Sequence, residues 1–307
     1  MAELFNIQYL TRDEIDINKW NNCIDTSGNG LVYGYHFYLD LMAKQWHGLV
    51  LNNYEAVMPL TWNRKYGIAY LYQPFLAAQL GVFGKTFSAE LLEAFLNAIP
   101  SKFLYWDFYL NHSNVFDLEN FHLYQRANYV LDLNRSYQEL QNDYRENIQR
   151  NIRKAEQVGC KADKNFDVEK VIELAVQQMR TYTKESKDNV ERFRNLYRFL
   201  HRQEKAITYG IFSAQNELLA SCVFFFSHNR AYYILVGNHP NGRTIGASHA
   251  LIDAFIKDHA GKNMVLDFEG SDNRNLAFFY SSFGAVEEKF AGIKLNKLPF
   301  YLKWMKK

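Results

Sequence analysis

The sequence predicts an α/β protein of two domains, each a mixed, mostly antiparallel sheet flanked by helices. Three observations predict it. The chain has 307 residues, more than one hydrophobic core usually serves. Aromatic residues make up 16%, mostly Tyr and Phe, which suits pleated, half-buried surfaces. Lastly, a strand–helix–strand run at Ile68–Tyr109 is echoed at Ala231–Phe268.

In the first half, helices are expected at Asp16–Ile24 and Tyr35–Ala43, and strands at His47–Asn52, Glu55–Trp62 and Ile68–Pro74. Ser88–Ile99 reads as a helix, with Ser88 and Glu90 near its start and Pro100 after its end. Phe103–Tyr109 reads as a buried strand and Tyr129–Leu133 as another. Asn134-Arg135-Ser136 marks the expected border, giving domains 1–134 and 135–307.

Ser136-Tyr137-Gln138-Glu139 fits a capping box, and the helix it opens is expected to run to Gly159. Leu140, Tyr144, Ile148, Ile152, Ala155 and Val158 share one helical face; Arg145, Arg150, Arg153 and Lys154 take the other. Helices at Asp167–Lys184 and Val190–Gln203 follow, then strands at Ala206–Phe212, Leu218–Ser227 and Ala231–Val236. A glycine-containing loop, Gly237–Ser248, leads into a helix to about Ala260. The strand Met264–Phe268, a polar turn and the helix Asn273–Gly284 complete the block. Glu287–Ile293 and Tyr301–Met305 read as strands closing a sheet.

Several chemistries are excluded. A formal net charge of +2 gives no electrostatic case for a dedicated nucleic-acid or membrane-surface binder. Cys23, Cys160 and Cys222 are far apart and form no C-x-x-C pair, so no disulfide scaffold or zinc site is expected. The nine histidines include no H-E-x-x-H, and there is no P-loop, no G-x-S-x-G elbow and no strand-linked G-x-G-x-x-G. No signal segment or membrane-spanning run is read, so the expected location is cytoplasmic.

The two most informative stretches are Arg243-Thr244-Ile245-Gly246-Ala247-Ser248 and Asn273–Ala285. Successive backbone N–H groups with little side-chain bulk at a helix start form an anion site. Together these stretches resemble the acyl-CoA-binding half of the GNAT acyltransferase fold, whose loop reads [Q/R]-x-x-G-x-[G/A] and whose later helix carries a tyrosine before a glycine. Ser248 departs from that pattern, standing where glycine or alanine is usual.

The whole chain also resembles the FemABX group of tandem-GNAT aminoacyl and acyl transferases. That likeness rests on Arg135–Leu140, Asn151–Ala155 and Phe268–Ser271, and on Ala56–Leu60 and Gln73–Phe75 in the first half. It implies N-acyl or N-aminoacyl transfer from acyl-CoA or aminoacyl-tRNA to an amine acceptor, without a metal; the modest net charge leaves tRNA not favoured. Two tandem GNAT-like domains are implied, the first degenerate and on the acceptor side, the second holding the donor. Tyr280 is the implied acid for the leaving group. Glu269 and His239 are the base candidates at strand ends. Leu235, Val236, Gly237, Arg243, Thr244, Gly246, Ala247, Ser248, Asn273 and Asn275 are the implied donor contacts, and Arg180 and Tyr182 candidate acceptor contacts. The competing reading is a non-catalytic module on the same fold, binding a peptide, glycan or nucleotide.

Overall fold

A computed structural model describes residues 5–179, 187–270 and 272–299. The chain divides into two compact units, Met1–Arg126 with Lys289–Lys307, and Ala127–Glu288. The border expected at Asn134-Arg135-Ser136 falls inside the second unit, and the expected strand Tyr301–Met305 lies outside the described residues.

The first unit begins with β1 (Ile7–Leu10), α1 (Ile17–Thr26), α2 (His36–Met42), β2 (Gln45–Leu51), β3 (Ala56–Lys65) and β4 (Ile68–Tyr72). The short β5 (Phe83–Gly84), α3 (Ala89–Asn97) and β6 (Phe103–Tyr109) follow, and β13 (Val286–Asn296) returns from late in the sequence. The strands lie in the order β1-β2-β3-β4-β6-β13, with β5 on β3. Helix α1 starts where the Asp16 carboxylate accepts from the amides of Asn18 and Lys19; α3 starts where Ser88 Oγ accepts from Leu91. Leu49, Met58, Leu71, Phe95, Phe103, Trp106 and Ile293 form its core.

Among the described strands of this unit, β4 and β6 run parallel, joined through α3. Past the last pair, Tyr72 with Asp107, the Gln73 side chain takes over. Its Oε1 accepts from the Tyr109 amide at 2.9 Å and its Nε2 donates to the Ala77 carbonyl. One glutamine stitches shut the place where the two strands would part.

The second unit starts in β7 (Leu123–Asp132) and continues through α4 (Tyr137–Asn142), α5 (Glu146–Gln157), β8 (Lys161–Lys164), α6 (Val168–Met179) and α7 (Lys187–His201). Then come β9 (Ala206–Phe212), β10 (Leu218–Ser227), β11 (Arg230–Asn238), α8 (Pro240–Ile245), α9 (Ala247–His259), β12 (Val265–Asp267) and α10 (Arg274–Ser281). Its strands lie in the order β7-β12-β11-β10-β9-β8, with β11 and β12 parallel. The core is aromatic: Tyr209, Phe224, Tyr233, Phe255 and Phe268 cluster, and the Phe224 and Phe255 rings stack at 3.6 Å.

The single helix expected over residues 136–159 is two helices. Asp143 closes α4, and the Arg145 amide turns away to donate to the Ser282 carbonyl at 2.9 Å. The break keeps Tyr144 buried, with its hydroxyl donating to Asp253. Leu140, Ile148, Ile152 and Ala155 are buried as their shared face requires, whereas Val158, beyond the end of α5, is exposed. Gly159, at φ 78°, is the left-handed residue that ends the helix.

The capping box forms as its sequence demands: Ser136 Oγ accepts from the Glu139 amide, and Glu139 Oε2 accepts from the Ser136 amide at 2.8 Å. Ser136→Ala is therefore expected to lower stability by about 1 kcal/mol. Urea unfolding followed by circular dichroism reads this; an unchanged midpoint would show that the box does not stabilise α4.

Candidate active site

The site begins with a ladder that stops early. β11 pairs with β12 through Arg230–Val265, Ala231–Leu266 and Tyr232–Asp267, and no further. β11 itself runs on to Asn238, still paired with β10 on its other side through Ala220–Asn238 and Ser221–Gly237. From Tyr233 onward the edge of β11 that faced β12 is therefore released from the ladder. Within this stretch β11 holds one extra residue: Ile234 to Gly237 faces only Val223 to Ser221 of β10. Leu235 takes up the bulge at φ 49°, a left-handed backbone rare for a γ-branched side chain. Bulge and released edge turn backbone groups of Leu235, Val236 and Gly237 out of the sheet pattern. Gly237 must be glycine for a further reason, since a Cβ there would lie 2.7 Å from the Ala175 amide nitrogen of α6.

The segment read as an open phosphate loop is largely a helix. Pro240 sits at the first helical position of α8, and His239 caps it, its Nδ1 accepting from the Asn241 amide at 3.3 Å. His239 Nε2 lies 3.5 Å from Glu217. Arg243 is exposed, while Thr244 bonds back to the Asn241 carbonyl and offers its own carbonyl to Lys154 Nζ at 2.7 Å. Gly246, at φ 81°, makes the left-handed joint into α9, and a Cβ on it would meet the Asn151 carbonyl oxygen of α5 at 2.4 Å. Ala247 is fully buried. Ser248 donates its hydroxyl to Asn238 Oδ1, and the Asn238 amide donates to Gln178 at 2.6 Å. A clamp between strand end and helix start thus replaces the small residue usual at Ser248. The sequence reading assigned no role to Asn238; its only signal is its position directly after Gly237.

Across the gap, β12 ends in a tight turn. Glu269 has φ 66°, and its amide donates to Asp267 Oδ1 at 2.8 Å. Asp267 also accepts from Asn128 at 2.9 Å and from Arg230 at 2.6 Å, and Arg230 reaches Glu288 at 2.8 Å. Burial opposes the Arg230 charge, but the bonds to Glu288 and the attraction of Asp267 outweigh it and raise its pKa. Asp267 is therefore a structural anion, fixing the turn that presents Glu269.

Asn273 caps α10, its side chain accepting from the Asn275 amide at 2.9 Å, and Asn275 is exposed. Tyr280 lies on the buried face of α10, stacked on Phe268 with ring centroids 4.4 Å apart. Burial, then the nearby charge of Glu269, raises the pKa of its hydroxyl, so that it keeps its proton at neutral pH. Glu269 and Tyr280 are thus brought together beside the released edge of β11. His239 is engaged instead at the cap of α8. Arg180 and Tyr182 lie outside the described residues.

His249, in the first turn of α9, also had no part in the sequence reading. Its ring meets Phe279, the neighbour of Tyr280, edge-on at 4.9 Å, and its Nδ1 is buried without a hydrogen-bond partner. Burial lowers its pKa from 6.5 to about 4. The unfolded chain then takes up this proton first as pH falls. The neutral imidazole's contribution is intact above about pH 6.5 and is lost toward pH 4, by up to about 3 kcal/mol. Thermal midpoints of the protein and of His249→Leu across that window test this; parallel pH profiles would refute it. His259, shifted the same way by burial, adds acid sensitivity that both proteins share.

Among the described residues no cluster of His, Cys, Asp and Glu could hold a metal ion, and no helix is long and apolar enough to cross a membrane.

A parallel strand pair that parts after a short ladder, a bulge on the first strand, and a tyrosine helix after the second occupy one continuous part of the chain. Residues 142–274 match the family model described as an acetyltransferase (GNAT) domain. As a whole, the chain shares its fold with FemX. It superposes on FemX with a TM-score of 0.63 at 12% identity, covering 97% of this chain and 99% of that one. A conserved protein of unknown function from Bacteroides thetaiotaomicron gives 0.57 at 12% identity, covering 94% and 99%. L-PGS from Bacillus licheniformis gives 0.54 at 11% identity, covering 94% and 95%. No curated protein sequence matches the chain.

Proposed function

We propose that the second unit transfers an acyl or aminoacyl group from an activated donor to an amine. The observation that carries this reading is the β11 edge released beyond Tyr232, beside Glu269 and Tyr280. A carbonyl lodged against that edge would meet backbone N–H groups of the Leu235–Gly237 bulge, which stabilise the oxyanion as it forms. Glu269 takes the proton from the attacking amine. Tyr280, held protonated, gives one to the departing thiolate or alkoxide.

The donor is a CoA thioester or an aminoacyl-tRNA ester. Gly246 lies flush against α5, Ser248 is bonded to Asn238, and His239 caps α8, so much of the phosphate loop is already engaged. The modest net charge counts against the tRNA ester, for which exposed Arg150, Arg153 and Arg243 would be the phosphate contacts.

The test is transfer by purified protein from radiolabelled acetyl-CoA and from aminoacyl-tRNA to a panel of primary amines. Tyr280→Phe is expected to lower kcat about a hundredfold with little change in donor KM. Transfer from neither donor, with ligand binding intact in Tyr280→Phe, would point to the non-catalytic module.

A further inference from the structure

A second recess in the second unit shares no lining residue with the acyl site. It lies between α5, α9 and the edge strand β8 and has a volume of about 500 Å³. Its floor exists because facing positions carry alanine: Ala155 on α5, Ala162 on β8, Ala250 and Ala254 on α9. Larger side chains at these positions would close it.

One wall of this recess carries a buried carboxylate with no cation in direct contact among the described residues. Asp253 is only 8% exposed and lines the recess. Its carboxylate accepts from the Tyr137 hydroxyl at 2.9 and 3.1 Å and from Tyr144 at 3.0 Å, so two neutral donors hold it from one side. Among the described residues no Lys, Arg or His lies within ion-pair distance of it; burial raises its pKa, and Lys257, one turn along α9, attracts it only from farther off. Buried carboxylates normally have a cation beside them, because desolvation is otherwise uncompensated. At the other end, Asp258 accepts from Tyr209 at 2.8 Å and Lys164 at 2.9 Å through one oxygen, leaving its second oxygen open. Glu156 and Asp163 add negative charge to the rim, and Lys164 and Lys257 offset part of it.

We propose that this recess binds an alkylammonium ligand, such as a linear diamine or a lysine-like side chain. Its methylenes lie on the alanine floor, and its ammonium supplies the cation that Asp253 lacks.

Cadaverine is the probe, titrated calorimetrically into the full chain, with 1-pentanol as the uncharged control. Cadaverine should bind at millimolar concentration or below and 1-pentanol should not. Ala254→Phe, which fills the floor, should weaken cadaverine at least about tenfold. Should that variant not fold, Ala250→Leu makes the same test at a neighbouring position. Absence of cadaverine binding by the natural sequence, equal binding of the alcohol, or undiminished binding by the filled variant would each overturn the proposal.

Discussion

Arg230→Met lowers the unfolding free energy by about 3–5 kcal/mol, the usual result of removing one partner from a buried ion pair. The Arg230 side chain is 12% exposed and bridges Asp267, 3% exposed, to Glu288, 18% exposed. Methionine matches much of the arginine stem but leaves two shielded carboxylates facing each other across the Asn128 amide. The loss is read from guanidinium unfolding. A triple variant with Asp267→Leu and Glu288→Leu should recover much of the stability, since replacing a whole buried network costs far less than halving it. A single variant within about 1 kcal/mol of the natural protein would mean that solvent screens the network. Activity should fall as well, because Asp267 holds the Glu269 amide in the turn beside Tyr280.

Gly246→Ala is the second large effect, about 2–4 kcal/mol of stability lost. The left-handed backbone at φ 81° accounts for about 1–2 kcal/mol with any L side chain. The remainder comes from a methyl placed 2.4 Å from the Asn151 carbonyl, which forces α5 away from the start of α9. Gly261 supplies an internal control. It has nearly the same φ, 79°, yet a Cβ there meets nothing within 4 Å. Gly261→Ala should therefore lose only the backbone part. Equal losses in the two variants would show that α5 yields freely, and that the close approach at Gly246 does not fix the joint.

Much of the architecture was legible because the pattern was local. β6, β9 and β10 have the bounds expected of their apolar runs, and Ser88, Ser136 and Gly159 act as the caps their residue types suggest. Long-range contacts were invisible. Nothing in residues 136–159 announces that the Arg145 amide will leave the helix for the Ser282 carbonyl. Gly237–Ser248 reads as a glycine-containing loop, whereas a proline directly after a capping residue begins a helix just as well. In the candidate site, Tyr280 and Glu269 are proposed from their place after β12. Asn238 and His249 escaped because their importance lies in the partner each has or lacks across the sheet, which sequence spacing does not encode.

The division of the chain also bears on its biogenesis. β13 pairs with β6 through Gly292–Tyr109 to Asn296–Tyr105, so the first unit draws a strand from residues that follow the entire second unit. A ribosome has therefore finished Ala127–Glu288 before the amino-terminal sheet can acquire its final partner. Until then the flank of β6 is an unpaired template, the kind of nascent edge that chaperones shield. Stop codons ahead of residue 289 should thus injure the first unit, although every residue removed is encoded after the second.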